Sequence, residues 1–190
     1  MFRFWRFKNC MMALFIGLWC VGPVVGQTIT LQQLDPSQYN VIFMRHALAP
    51  GFGDPDNFDV TDCATQRNLD DQGRAQAREI GQAFAQADVA IDQIYSSQWC
   101  RCQDTARLLE MGAHVPFTGL NSFFQNHAPR DATLAMLRQK LQQLPKDRVT
   151  LMVTHQVVIS AITGKFVGSG EHIAYNTKSG RSAPVRIADN

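Results

Sequence analysis

The sequence predicts an α/β fold, a three-layer α/β/α sandwich in which helices cover both faces of a mostly parallel central sheet. Short apolar runs typical of buried strands alternate along the chain with longer segments of helical periodicity. The 190 residues are 45% hydrophobic and 18% charged, an ordinary globular composition. No internal repeat, low-complexity tract or linker interrupts them, so we expect one core.

The first 26 residues differ in character from the rest. A basic start at 1–8 precedes an unbroken apolar run at 10–21, which Gly22-Pro23 ends. This order is typical of a bacterial secretory signal, with cleavage expected before Gln27. The alternative is a retained membrane anchor, but the run is shorter than the roughly 20 residues that a spanning helix needs. We therefore predict a signal peptide at 1–26, a single domain at 27–190, and a periplasmic or secreted location. Membrane contact is expected only through an uncleaved signal.

Removal of the leader changes the charge and the cysteine count. Three basic residues and no acidic ones leave, so the formal net charge falls from +2 to −1, which argues against a nucleic-acid partner. Cys63, Cys100 and Cys102 remain. A Cys-x-Cys bridge would be tight, so Cys63 is expected to pair with Cys100 or Cys102. A zinc site is less favoured, because the usual second pair of ligands is missing.

The first strand is predicted at 40–44, where the run NVIFM is apolar and rich in strand formers. A long loop rich in Gly, Pro and Asp follows at 47–68, and such loops in compact domains are usually functional. Apolar residues then recur on one face of a helix at 71–86, and Asp70 or Asp71 can cap its start.

The middle of the chain continues the alternation. We predict a strand at 91–96, a helix at 99–111, a short strand at 114–117 and an irregular stretch at 119–130. A helix at 131–144 comes next.

The last third contains the clearest buried strand, VTLMVT at 149–154. A helix at 157–163 follows it, and two edge strands are predicted at 171–175 and 184–188.

Ligands of such sheets bind outside the carboxyl ends of the strands. The first strand ends in Arg45-His46, the clearest strand ends just before His155, and Arg101 lies on the first turn of the helix after the second strand. Two arginines around one site suggest a phosphate, since guanidinium pairs with its oxygens. The amino ends of the helices after Ser97 and His155 should add amide donors.

Histidine is both a fair nucleophile and partly neutral near pH 7. The sequence has no Walker-type glycine loop and no evident magnesium carboxylate cluster. We therefore predict metal-free phosphoryl transfer through histidine, with a small phosphorylated substrate as partner and without cofactor or metal.

Four segments carry a family resemblance: FMRHA at 43–47, RNLDDQGRAQA at 67–77, IYSSQWCRCQDTA at 94–106 and LMVTHQ at 151–156. In this order they resemble the motifs of the histidine phosphatase superfamily, which includes phosphoglycerate mutases and acid phosphatases. The resemblance implies a phosphoglycerate mutase-like fold for the domain.

The resemblance also implies roles. His46 would attack phosphorus and become a transient phosphohistidine, while Arg45, Arg101 and His155 would hold the phosphoryl oxygens. The implied activity is an exported phosphatase acting on a small phosphomonoester or a phosphorylated envelope sugar. The alternatives are a phosphate-binding protein without turnover and, less favoured, a mutase.

The chain departs from the family pattern in two ways. Ala47 stands where the family has glycine after the nucleophile. The general acid is also missing, because 119–130 contains no Asp or Glu and Gln156 follows the second histidine. The substitutes, which the sequence does not rank, are Glu171, Asp54, Asp56 and Asp59.

Several other side chains have two interpretations. Phe123 and Phe124 could line the mouth of the pocket or belong to the core. Arg67 could reach a substrate. The acidic stretch at 54–59 is expected to be solvated, with a lid as the alternative, and His172 is interpreted as a loop or surface residue.

Overall fold

The computed structural model describes Met1 and residues 28–187. The predicted signal peptide therefore lies, apart from Met1, outside the described residues. None of the helices found between residues 28 and 187 is long and apolar enough to cross a membrane.

Seven strands of the described chain form one sheet, in the order β1-β7-β6-β2-β5-β3-β4. They are β1 (Ile29–Thr30), β2 (Val41–Arg45), β3 (Ile91–Ser96), β4 (His114–Pro116), β5 (Val149–Thr154), β6 (His172–Tyr175) and β7 (Ser182–Arg186). Four of the six pairings are parallel, while β6 runs antiparallel to both β2 and β7. The predicted mostly parallel sheet is confirmed.

Four helices cover the two faces of this sheet: α1 (Asp71–Gln86), α2 (Cys100–Leu108), α3 (Arg130–Gln143) and α4 (Gln156–Thr163). Alternate residues of β2 face opposite sides, because successive side chains of a strand point in opposite directions. Ile42 packs in one buried cluster with residues of α1 and α2. Phe43 packs in another with residues of α3 and α4. The three-layer sandwich is therefore confirmed.

The bounds of α1, β3 and β5 agree with the prediction. The helix predicted at 99–111 ends earlier, at Leu108, and the left-handed φ of Glu110 (56°) prevents its continuation. The two strands predicted at the edge are placed wrongly, since β6 and β7 lie inside the sheet and β1 lies outside β7. With two residues, β1 is too short to show a pattern of its own, and only its pairing with Val185 and Arg186 defines it.

The disulfide joins Cys63 to Cys100 and leaves Cys102 free and buried. This bond ties the long loop after β2 to the first turn of α2. It also uses two of the cysteines considered for zinc. Within the described residues, no group of three or more His, Cys, Asp or Glu side chains could hold a metal ion.

Reduction of this disulfide should lower the free energy of unfolding by about 4 kcal/mol, because the reduced unfolded chain regains the entropy of a loop closed between residues 37 apart. Urea unfolding with and without reductant measures the difference. The double variant Cys63→Ser/Cys100→Ser should match the reduced protein and should not respond to reductant. A wild-type protein equally stable in both conditions would contradict the prediction.

Candidate active site

The sheet register brings the predicted site residues to one edge. Arg45 pairs with Thr154 in the parallel β2–β5 ladder, so His46 and His155 follow neighbouring strand ends. Arg101, on the first turn of α2, lies between them. Its Nε donates to His46 Nε2 at 3.2 Å, and its Nη2 lies 3.5 Å from His155 Nδ1. These four residues line one cavity of about 160 Å³.

His46 is held as a neutral ring with one nitrogen free of a proton. Its side chain is buried, and Nδ1 donates to the Ala47 carbonyl oxygen at 2.8 Å. A neutral ring carries one proton, so Nε2 keeps its lone pair and accepts from Arg101. Burial, followed by the charge of Arg101, lowers the pKa of His46 well below its usual value. The arrangement leaves Nε2 with a lone pair that faces Arg101.

His155 is neutral for the same physical reasons. Burial lowers its pKa well below the usual value, and the charge of Arg101 lowers it further. Its Nε2 lies 2.9 Å from Ser97 Oγ, which in turn lies 3.2 Å from Asn121 Oδ1. Since arginine can only donate, Nδ1 faces Arg101 as an acceptor and Nε2 carries the proton. Ser97 and Asn121 therefore orient this ring.

Arg101 is anchored by Asp54, a contact that the sequence did not reveal. Its Nη1 and Nη2 donate to the two carboxylate oxygens at 2.7 and 3.1 Å, and both side chains are buried. Trp99 Nε1 and the Arg67 amide donate to the same carboxylate, each at 3.1 Å. Burial by itself would raise the pKa of Asp54, but the paired bonds and charge of Arg101 lower it overall. This carboxylate is an ionised anchor and not a proton donor.

The other three candidate acids do not line the cavity that contains His46, although the Glu171 carbonyl accepts the Arg45 amide at 3.0 Å. Asp56 is exposed. Asp59 is exposed and accepts from the amide and hydroxyl of Thr61 at 2.8 and 2.7 Å, which lowers its pKa. Glu171 accepts the Gly168 amide at 2.6 Å and lines a different cavity. Among the residues that the structure describes, no Asp or Glu lines the cavity around His46.

A third arginine joins the site. Arg67 lines the cavity, where its Nε donates to the Gly53 carbonyl at 2.8 Å and its Nη1 to the Ala49 carbonyl. Burial and the neighbouring Arg101 lower its pKa from the ordinary arginine value. Three guanidinium groups therefore surround one small cavity with Asp54 as their buried counter-ion. The surplus of positive charge suits a phosphate dianion.

The sequence predicted that the amino ends of two helices, α2 and α4, would supply amide donors to the ligand. The amides of Gln98, Trp99 and Cys100 at the start of α2 donate to side chains of Asn121, Ser97 and Gln66, so these three amides are not available to a ligand. The first two residues of α4, Gln156 and Val157, line the cavity. The amino end of α4 therefore remains beside the site.

The structure also shows where His172, Asp54, Phe123 and Phe124 lie, which the sequence left open or predicted wrongly. His172 is buried on β6, not on the surface, because its strand lies inside the sheet, and burial lowers its pKa to about 4. Asp54 is not solvated, although it belongs to the acidic loop. Phe124 lines the cavity, whereas Phe123 packs against the core.

Backbone contacts hold the segment that follows His46. The Ala47 amide donates to Thr105 Oγ1 at 3.0 Å, and the Leu48 amide donates to Gln76 Oε1 at 2.8 Å. A Cβ on Gly73 would lie 1.9 Å from the Leu48 carbonyl oxygen, so α1 can approach this segment only because Gly73 lacks a side chain.

Comparisons with known proteins agree with this architecture. The model of the histidine phosphatase superfamily (branch 1) matches residues 41–123. No curated protein sequence matches the chain. Among solved structures, the protein histidine phosphatase SixA complexed with tungstate is 16% identical, with a TM-score of 0.52, over 76% of this chain and 92% of that one.

Two further structures are similar to the chain. The protein TTHB049 from Thermus thermophilus is 17% identical, with a TM-score of 0.55, over 79% of this chain and 97% of that one. A mycobacterial glucosyl-3-phosphoglycerate phosphatase is 15% identical, with a TM-score of 0.53, over 80% and 100%. At these identities the likeness shows the fold alone. The resemblance to the histidine phosphatase superfamily and the phosphoglycerate mutase-like fold are confirmed.

Replacement of the anchor, Asp54→Asn, should lower the free energy of unfolding by about 3 kcal/mol, because it leaves a buried guanidinium without its counter-ion. The matched control is Asp71→Asn, which breaks an exposed pair with Arg74 and should cost less than about 0.5 kcal/mol. Urea unfolding compares the two variants. Equal stability of both would contradict the anchoring role.

Acid should destabilise the fold through its buried histidines. The unfolded chain takes up a proton on His172 near pH 6.5, whereas the folded protein does so only near pH 4. This contribution to stability is complete above pH 6.5 and is lost as the pH falls toward 4. His172→Phe should therefore reduce the slope of unfolding free energy against pH in that window by up to about 1.4 kcal/mol per unit. An unchanged slope would contradict the assignment.

Proposed function

We propose that the chain is a metal-independent phosphatase that transfers a phosphoryl group from a small substrate to His46 and then to water. The observation that carries this proposal is His46 Nε2, unprotonated and held by Arg101 in a cavity lined by three arginines. The superfamily match over 41–123 supports it.

In the first step the arginines attract the phosphate dianion, and His46 Nε2 attacks phosphorus. The Nε2–P bond forms, the bond from phosphorus to the leaving group breaks, and its electron pair departs with the leaving group. Arg45 and Arg101 stabilise the charge on the phosphoryl oxygens, while the neutral His155 ring lies beside Arg101 as an acceptor for its Nη2. The Nδ1–H bond to the Ala47 carbonyl accommodates the positive charge that develops on the ring.

In the second step water attacks the phosphohistidine. The P–N bond breaks and its electron pair returns to Nε2. Phosphate leaves with the hydroxyl of the attacking water, whose second proton passes to another phosphate oxygen. The lowered pKa of His46 favours this step, since a weakly basic ring is a good leaving group.

The substrate must have a leaving group that departs without help from a carboxylic acid. No Asp or Glu among the described residues lines the cavity, and Asp54 is ionised and fully engaged. Phosphoryl compounds with a weakly basic leaving group therefore fit the site better than simple alkyl phosphates. A phosphorylated envelope sugar remains a second substrate class to be tested.

We also propose that the protein is exported. The leader-like order of residues 1–26 supports this, and the Cys63–Cys100 disulfide is consistent with an oxidising compartment.

The missing carboxylate equally favours one rival function, a phosphate-binding protein that does not turn over. Such a protein would use the same arginines but would form no covalent bond to His46. Phosphoenzyme trapping therefore separates the two functions.

Phosphate release from 4-nitrophenyl phosphate tests the proposal, because its leaving group is weakly basic. His46→Ala should lower the rate by at least about 10³-fold, since it removes the nucleophile. His114→Ala, on β4 and outside the cavity, is the matched control and should keep the wild-type rate. Chelators should not change the rate.

Mass spectrometry of acid-sensitive phosphoenzyme, quenched early in the reaction, should show one phosphoryl group on His46. Activity that survives His46→Ala would overturn the phosphatase proposal. Phosphate binding without either turnover or phosphoenzyme would favour the binding protein.

A further inference from the structure

Two phenylalanines form an aromatic rim at the mouth of the cavity. Phe52, in the loop after β2, has 88% of its surface exposed, and Phe124, between β4 and α3, has 38%. Their rings meet edge to face, with centroids 5.2 Å apart and planes at 85°. Both line the same cavity as His46. A phenylalanine this exposed gains nothing from the core, so the rim is suited to contact with a ligand.

The backbone beside both rim residues adopts left-handed conformations. Gly51 and Gly53 flank Phe52 with left-handed φ angles of 92° and 71°. Beyond Phe124, Gln125 and Asn126 also have positive φ, at 56° and 62°, although neither is glycine. Such conformations cost free energy in non-glycine residues and occur preferentially at binding sites.

The two loops are also joined to each other and to the phosphate-binding residues. Gln125 Oε1 accepts the Asp54 amide at 2.9 Å, while the Asp54 carboxylate holds Arg101. One residue therefore couples the position of the rim to that of the guanidinium beside His46. A substrate that places its phosphoryl group at Arg101 would extend toward Phe52 and Phe124.

We propose that the phosphoryl group of the substrate is carried on a planar ring, and that this ring packs against Phe52 and Phe124. The inference rests on the proposed function and narrows its substrate class. The rim offers flat apolar surface, which suits a ring and leaves the hydroxyls of a sugar unpaired.

The chemistry of the leaving group points the same way independently. When His46 Nε2 bonds to phosphorus, the electron pair of the broken bond passes to the oxygen of a phenol, or to one nitrogen of an imidazole whose other nitrogen already carries a proton. The phenolate spreads its charge into the ring and takes a proton from water after release, whereas the imidazole leaves as a neutral ring. A ring-borne phosphoryl group therefore needs no carboxylic acid, in agreement with the described lining of the cavity.

Binding of two non-hydrolysable probes tests the rim apart from turnover. Calorimetry should show phenylphosphonate binding about tenfold tighter than methylphosphonate, since ring packing adds affinity beyond the shared phosphonate. Phe52→Ala should remove most of this ratio and leave methylphosphonate binding unchanged. The matched control is Phe166→Ala, because Phe166 is 80% exposed but lines another cavity. A wild-type ratio near one, or equal loss for both probes in Phe52→Ala, would overturn the inference.

Turnover separates this inference from the proposed function. The kcat/KM for phenyl phosphate should fall about tenfold in Phe52→Ala, while that for glycerol 2-phosphate stays within twofold. Turnover without ring preference would overturn the inference and leave the phosphatase standing. Ring-selective phosphonate binding without any turnover would support the rim and overturn the phosphatase.

The atom that carries the phosphoryl group is decided by a second comparison. Faster turnover of phosphoimidazole than of phenyl phosphate, each divided by its uncatalysed rate of hydrolysis, supports a ring nitrogen, and the reverse order supports a phenol oxygen. Loss of both activities in Phe52→Ala, with glycerol 2-phosphate unchanged, supports the shared ring chemistry. Phosphoimidazole turnover that Phe52→Ala does not change would overturn the inference that a ring nitrogen carries the phosphoryl group.

Discussion

The buried ion pair between Arg101 and Asp54 is the interaction on which the site depends. A guanidinium removed from water is tolerated only when its donors are satisfied, and Asp54 satisfies two of them with bonds of 2.7 and 3.1 Å. Nη1 also donates to the Arg67 carbonyl at 3.2 Å, and Nε is thereby directed at His46 Nε2. Burial, together with the same positive charge, lowers the pKa of both histidines and keeps them neutral. One pair of residues therefore helps to set the geometry and the protonation state of His46.

Contacts with the start of α2 fix the conformation of the long loop that follows β2. Cys63 is bonded to Cys100, and Gln66 accepts the Cys100 amide at 2.9 Å. Trp99 donates to Asp54 and stacks on Phe58, with ring centroids 4.9 Å apart. Stability and recognition are coupled through these contacts, because the loop that supplies the counter-ion of Arg101 also presents the aromatic rim.

The site has abundant positive charge, and in its described lining it lacks a carboxylic acid. In the proposed reaction, its binding energy is directed at the phosphoryl group, where charge builds up in the transition state. The proposed departing group receives flat apolar surface from Phe52 and no carboxylic acid. We therefore expect such a site to select substrates by the stability of the leaving group and by its shape.

The sequence by itself determined the layered fold and the strand ends that carry Arg45, His46 and His155. These features follow from local patterns, since buried strands such as β5 and amphipathic helices such as α1 are encoded by nearby residues. Only the tertiary structure decided that Asp54 is the anchor of Arg101 and not an acid, because they are 47 residues apart. The choice of Cys100 over Cys102, and the pairing of β1 beside β7, likewise depend on contacts between distant residues. No local pattern encodes such contacts, because they form only when the sheet brings separate segments together.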